Sequence, residues 1–351
     1  MVATLVSAIK TVVVPRSSPS LITRWMFRAM RRVFSLAAHP KRSFETRDRV
    51  LALFGPVSLV MLPGVWVVLA ILGFMGILWG MGSMTPREAL LTSGSSLLTL
   101  GVAFHSDLPR ALLSFVEAGI GLGLVSLMIS YLPTIYSSFS RREQLVGLLE
   151  VRAGLPPSPA ELLARYTRIE WLENLSEELL PPWEAWFADI EESHSSHPAL
   201  VYFRSPHPQR NWVTAAGVVL DTAALLLAVV DLPWSPRAAL VIRSGSLSLR
   251  RISDTFRIPY DSDPRPDDPI SISRREFDLL CVELQAAGVP LKLNRDQAWI
   301  DFAGWRVNYD AVLLGLAALV VAPPARWSSD RVLPGSNDGD DDAGNANHER
   351  R

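Results

Sequence analysis

Two long apolar runs frame this chain. The first, FGPVSLVMLPGVWVVLAILGFMGILWGMGSM, begins at Phe54 and meets no charged residue before Arg87. It exceeds the ~20 residues that a helix needs to cross hydrocarbon. The pattern predicts a span over residues 62–81, preceded by an interfacial part that Pro56 and Pro63 kink. The second run, ALLSFVEAGIGLGLVSLMISYLPTIY, covers residues 111–136 and holds one acid, Glu117. Between the runs, TPREALLTSGSSLL carries a helix-start signal. Thr85 can cap, Pro86 suits the first helical position, and Glu88 can reach back from the third. The predicted helix, residues 86–98, is ~20 Å long, about half to two-thirds of a bilayer. That length suggests a re-entrant helix rather than a third span. TLGVAF, residues 99–104, is then its non-helical return. At such depth, irregular backbone must be buried in protein or line a water-filled cavity.

Elsewhere the pattern is helical and mostly soluble. LITRWMFRAMRRVF, from Leu21, alternates bulky apolar and basic groups at helical spacing. It reads as an amphipathic helix on the inner leaflet, the alternative being a soluble docking helix. After the second run, start signals recur: Ser140 with Glu143, Ser158 with Pro159 and Glu161, Ser235 with Pro236, Ser273 with Glu276, and Asn294 with Gln297. Gly154 offers a stop for the first of them. Strand-like alternation is scarce, so residues 140–327 read as a mainly helical domain. Two apolar stretches in it resemble spans. WVTAAGVVLDTAALLLAVVDL, from Trp212, has Asp221 at its centre and Asp231 near its end, with Arg210 and Arg237 flanking it evenly. AVLLGLAALVVA, from Ala311, is too short to cross. Both are expected to be core helices. WEAW, residues 183–186, reads as aromatic packing.

Charge adds orientation. The 351 residues have a formal net charge of −1, but the charge is segregated. Residues 1–52 hold ten Lys/Arg against only Glu45 and Asp48, and Arg141 and Arg142 follow the second run. Between the runs, Arg87, Glu88, Asp107 and Arg110 balance. The positive-inside rule therefore puts both termini in the cytoplasm. Only Lys10, Lys41 and Lys292 are lysines. The Arg excess reads as codon bias rather than phosphate recognition, and no aromatic-interleaved basic stripe points to nucleic acid. MVATLVSAIKTVVV is apolar, but Lys10 interrupts it and no small-residue cleavage site follows, so it does not read as a signal peptide.

Candidate chemistry is thin. The single cysteine, Cys281, excludes an intrachain disulfide framework and a Cys-based zinc site. Glu192, His194 and His197 lie close in sequence, but ESHSSH lacks the spacing of H-E-x-x-H, and a helix cap or loop network is the plainer reading. No G-x-S-x-G elbow or P-loop occurs, and GIGLG sits inside an apolar run rather than after a strand. Neither an enzyme, a cofactor nor a metal site is expected. The tail from Asp338 is acidic and reads as disordered; Asp338, Asp340, Asp342 and Glu349 match calcium-loop positions, but Ala343 stands where the turn needs glycine.

Glu117 is the informative acid. A carboxylate inside a span costs roughly 2.5 to 3.5 kcal/mol on insertion scales, so it should face a cavity or a partner. One reading has it set cation preference in a vestibule; the other has a protonated acid packed against Arg110 or loop backbone. Gly119, Gly121 and Gly123 cluster on the same helix. Gly123 reads as a hinge about as well as Gly119 and Gly123 read as small-residue packing. Pro133 is placed to kink the helix near its inner mouth.

Span, short helix, T-x-G loop, span resembles the two-transmembrane potassium-channel family. SSLLTLGVAF, YLPTIYSSFSRRE, WEAW, ESH and FRSP together are similar to a bacterial group of potassium-channel-family, pore-loop membrane proteins. The general likeness covers residues 54–137; the narrower one extends over most of the chain. It implies a homotetramer in a bacterial inner membrane whose loops pool backbone oxygens around cations such as K+. Thr99, Leu100, Gly101 and Val102 match the Thr-Val-Gly-Tyr filter positions, with Gly101 at one that favours glycine. The loop departs at Val102, where the family has an aromatic, at Ala103, where it has a second glycine, and at Phe104, where it has aspartate. The resemblance thus implies a channel-like architecture before it implies potassium. The expected organisation is a basic arm over 1–52, a two-span pore-loop membrane domain over 53–137, a helical cytoplasmic domain over 138–328, and an acidic tail over 329–351. The fold class is mainly α.

Overall fold

The computed structural model describes residues 2–12, 20–38, 43–82, 84–102 and 107–331. The protein is 75% helix, with no strand among the described residues. Among the described residues thirteen α-helices follow one another: α1 (Val2–Val12), α2 (Leu21–Ala37), α3 (Phe44–Ala52), α4 (Phe54–Gly80), α5 (Pro86–Leu97), α6 (Leu108–Ala153), α7 (Pro159–Arg168), α8 (Leu175–Ser196), α9 (Trp212–Ala228), α10 (Pro236–Phe256), α11 (Arg274–Ala286), α12 (Arg295–Arg306) and α13 (Asp310–Val320). They fall into two compact units. One comprises Met1–Arg142 with Glu192–Pro208; the other comprises Glu143–Glu191 with Gln209 onward.

In the first unit, two helical stretches are long and apolar enough to cross a membrane, Phe44–Gly80 and Leu108–Ala153. Only 39% of the most apolar stretch in the first is buried and 17% of that in the second. Val60, Val68 and Leu72 on α4, and Phe115, Leu122 and Ile129 on α6, are exposed. A core helix would not leave such a surface bare. α4 runs unbroken through Pro63 and α6 through Pro133. The capping box expected at Ser140 and Glu143 does not form, because α6 continues past both to Ala153. Extending an existing helix adds one bond per residue fixed, whereas a new start must repay nucleation. Nothing between Tyr136 and Arg142 breaks the run. Gly154, at φ +81°, ends it as expected.

The amphipathic helix is α2, capped by Ser20. Met26 packs with Ala8 of α1, Leu62 and Trp66 of α4 and Leu124 of α6. Phe27 and Phe34 meet Phe54 edge-on. Trp25 and Leu36 stay exposed, as do Arg24, Arg28, Arg31 and Arg32. α1 is held by polar groups as well: the Trp66 Nε1–H donates to Ser7 Oγ at 3.1 Å, and Ser7 Oγ lies 2.6 Å from Ser20 Oγ.

Residues 192–208 complete this unit. A 3-10 helix, Pro198–Tyr202, brings Leu200 and Phe203 against Leu59 of α4 and Ile135 of α6. Arg142, fully buried, donates to the carbonyls of Leu200 at 3.0 Å and Phe203 at 2.6 Å. Its Nη1 lies 3.1 Å from His194 Nε2, and Ser193 Oγ lies 3.1 Å from His194 Nδ1. His194 thus belongs to a buried hydrogen-bond network. Arg204 pairs with Asp48, both buried. The Phe203 ring lies so close to Gly55 that a Cβ there would come within 2.7 Å of it.

The second unit buries the apolar stretch at Trp212. All 17 residues of α9 are buried. Asp221 accepts from Arg306 and, at 2.8 Å, from the Tyr309 hydroxyl. Arg306 Nε donates to Asp310 at 2.8 Å, and Asp310 accepts from the Ser271 hydroxyl and amide at 2.7 Å each. Burial alone would lower the pKa of Arg306, but Asp221 and Asp310 raise it, so the guanidinium stays charged. Burial, with Asp221 beside it, pushes the Tyr309 phenol well above its ordinary range. A buried cation between two acids is satisfied on every side, which an apolar helix with one acid requires. Caps form at Ser235, Ser273 and Asn294, the second as a full box with Glu276. Trp183 and Trp186 stack edge-on with centroids 4.7 Å apart.

Candidate functional site

The site is built on α5 and its return. The Thr85 hydroxyl oxygen accepts from the Glu88 amide at 3.3 Å, and Glu88 Oε2 accepts from the Thr85 amide at 2.8 Å. With Pro86 at the first position, three local signals fix where the helix starts. Its buried residues, Ala89, Thr92, Ser93 and Leu97, recur at helical spacing, and this face packs on α4. Arg110 Nη2 donates to the Gly82 carbonyl at 2.7 Å, joining the end of α4 to the start of α6.

At the other end α5 closes in a Schellman motif. The Leu100 amide donates to the Ser95 carbonyl at 2.8 Å and the Thr99 amide to the Ser96 carbonyl at 3.0 Å. Thr99 is the left-handed residue, at φ +55°. Glycine normally fills that position; a β-branched residue there is a genuine outlier and costs on the order of 1–2 kcal/mol. Gly101 is left-handed too, at φ +67°. Ser95 holds the loop twice, since its hydroxyl oxygen also accepts from the Val102 amide at 2.9 Å. Residues 98–102 therefore wrap the C-terminus of α5 with backbone that alternates in handedness. Leu98, Leu100 and Val102 point outward, Val102 at 82% exposure. Ala103 and Phe104 lie outside the described residues.

Glu117 faces inward. It is fully buried, and its Oε1 contacts Ser93 Oγ on α5. Ser93 Oγ also lies 3.0 Å from the Ile71 carbonyl of α4. Within the chain Glu117 thus takes part in a three-helix contact, and its partner is Ser93 rather than Arg110 or the loop. One turn on, Gly121 meets the end of α5 so closely that any Cβ would collide with the Leu97 carbonyl. Gly119 and Gly123 have no such neighbour within 4 Å among the described residues, and α6 passes through Gly123 and Pro133 without interruption. Gly121, not Gly123, is the glycine that the packing within the chain requires.

The sequence reading placed a non-helical return at residues 99–104, of which 99–102 are described; it named Gly121 only within a glycine cluster and gave Ser93 and Ser95 no role. A signal existed for Ser93: a lone acid in a span needs a donor, and the adjacent TSGSS is the nearest supply. Among the described residues no cluster of three or more His, Cys, Asp or Glu could hold a metal ion. Comparison with protein-family models, curated proteins and solved structures returned no match for this chain.

Proposed function

We propose that the chain is a pore-loop membrane protein of a bacterial inner membrane, with both termini cytoplasmic. Four copies would pool the loops at Thr99–Ala103 to line a cation pathway, K+ among the ions carried. Residues 138–328 would then assemble or gate it. One observation carries this reading: a doubly capped helix sits between two apolar helices, and its return is pinned at Ser95 with Thr99 and Gly101 both left-handed. Strained backbone of this kind clusters where a chain binds or switches. The outward Leu100 and Val102 suit a loop whose remaining contacts come from other copies.

The loop's own letters favour a second reading. Val102, Ala103 and Phe104 supply neither the aromatic brace nor the second glycine of a potassium filter. A non-conducting, membrane-anchored scaffold or sensor could keep this fold. Potassium flux into liposomes holding the full chain separates the two. The conducting reading expects flux from the wild type and none from Gly101→Pro, since proline cannot adopt φ +67°. Absence of wild-type flux across voltage and pH, or crosslinking that stops at a dimer, favours the scaffold.

A further inference from the structure

We infer that Glu117 is a proton-binding site within the membrane unit, and that its proton latches α5 to α4 and α6.

The argument is a count of hydrogens. Ser93 Oγ makes two contacts, with the Ile71 carbonyl at 3.0 Å and with Glu117 Oε1. A serine hydroxyl carries one hydrogen, and a carbonyl oxygen can only accept. If Ser93 donates to Ile71, its contact with Glu117 needs a hydrogen from the other side. A protonated Glu117 supplies it, and the chain closes as Glu117 O–H to Ser93 O–H to Ile71 C=O. If Glu117 is a carboxylate, Ser93 must turn to it, and two acceptors are left facing each other at Ile71. The second oxygen, Glu117 Oε2, is buried without a hydrogen-bond partner. As the carbonyl of a neutral acid it is one unsatisfied acceptor; as half of a carboxylate it would be a buried charge.

Among the described residues of α4, α5 and α6, no cation is placed to neutralise that charge. α4 has no charged residue. On α5, Arg87 and Glu88 lie more than a turn before Ser93, and Glu88 is engaged by Thr85. On α6, Arg110 lies about two turns before Glu117 and is bonded to Asp107 and to the Gly82 carbonyl. Among the described residues, the group that Glu117 meets is the Ser93 hydroxyl. Loss of its proton would break the chain at Ser93, two residues before the serine that pins the return loop. The consequence for ion passage rests on the proposed pathway; the proton site itself does not.

The test uses the full chain in detergent. The infrared difference between wild type and Glu117→Gln at neutral pH should contain the carbonyl band of a protonated carboxylic acid. A difference containing only carboxylate bands overturns the inference. Amide hydrogen exchange over residues 86–102, corrected for intrinsic rates, gives the latch. Wild-type protection should hold while the acid band is present, then fall by roughly tenfold per pH unit once it disappears. Glu117→Gln, whose amide can still donate to Ser93, should show no such fall. Equal pH dependence in both proteins overturns the latch. Ser93→Ala covers the case where the glutamine variant does not fold. It should shift the acid band to that of an unbonded acid, and an unmoved band counts against the site. None of these readouts needs flux. A protein that passes them without conducting would lose the channel reading and keep this one.

Discussion

The chain contains two kinds of apolar helix, and each kind hides one acid. α4 and α6 leave most of their apolar surface bare, while α9 is buried on every side. Glu117 in α6 is met by a hydroxyl; Asp221 in α9 is met by a guanidinium and a phenol. A helix in a protein core can recruit a cation from a neighbouring element: Arg306 has two acids to share and the Trp327 carbonyl to take a further donor. On the proposed membrane topology a helix facing lipid would have no such reserve, and the cheaper solution would be to keep the acid neutral. Apolar letters alone do not distinguish these situations. The partner of the embedded acid does.

Three experiments probe that contrast. The largest effect should follow Asp221→Leu, which removes one of the two acids on the buried Arg306 and leaves the Tyr309 hydroxyl without its acceptor. It should cost about 3–5 kcal/mol in denaturant unfolding, the range for breaking a buried pair by removing one partner. A small loss from the single change would mean that the pair is not the anchor of α9. Next comes Gly121→Leu, which forces a side chain onto the Leu97 carbonyl. Overpacking of this kind costs roughly 1–3 kcal/mol, and it should open α5 to amide exchange while leaving α9 protected. Uniform loss of protection in both helices would break the distinction between the units. The smallest effect compares two equivalent caps. Thr85→Ala and Ser273→Ala each remove a full capping box, one in each unit, and each should cost ~1 kcal/mol of local stability at α5 or α11. Exchange measured at both helices should separate them cleanly.

What the sequence made legible was local. Thr85 with Glu88, Ser273 with Glu276, and Asn294 could be read because each cap is completed within four residues. Ser140 with Glu143 looked the same and failed, since a cap is decided by whether the preceding helix stops, and α6 does not. The position of the loop at Thr99 was readable from its neighbours. Ser93, Ser95 and Gly121 were not, because their roles depend on Ile71, Val102 and Leu97 in other elements or beyond a turn. Asp221 and Asp231 argued for a core helix around Trp212, yet the partner of Asp221 lies 85 residues away. The return of residues 192–208 to the first unit left no mark in the hydropathy pattern at all.

That return bears on the order in which the protein is made. Arg142 is completed by carbonyls 58 and 61 residues downstream, and Asp48 by an arginine 156 residues downstream. A ribosome that has just released the second apolar helix has therefore delivered a buried arginine and a buried aspartate without their partners. Both must wait through the synthesis of α7 and all of α8. Any truncation before Arg204 freezes the chain in that waiting state, so the first unit cannot be cut out as one contiguous fragment.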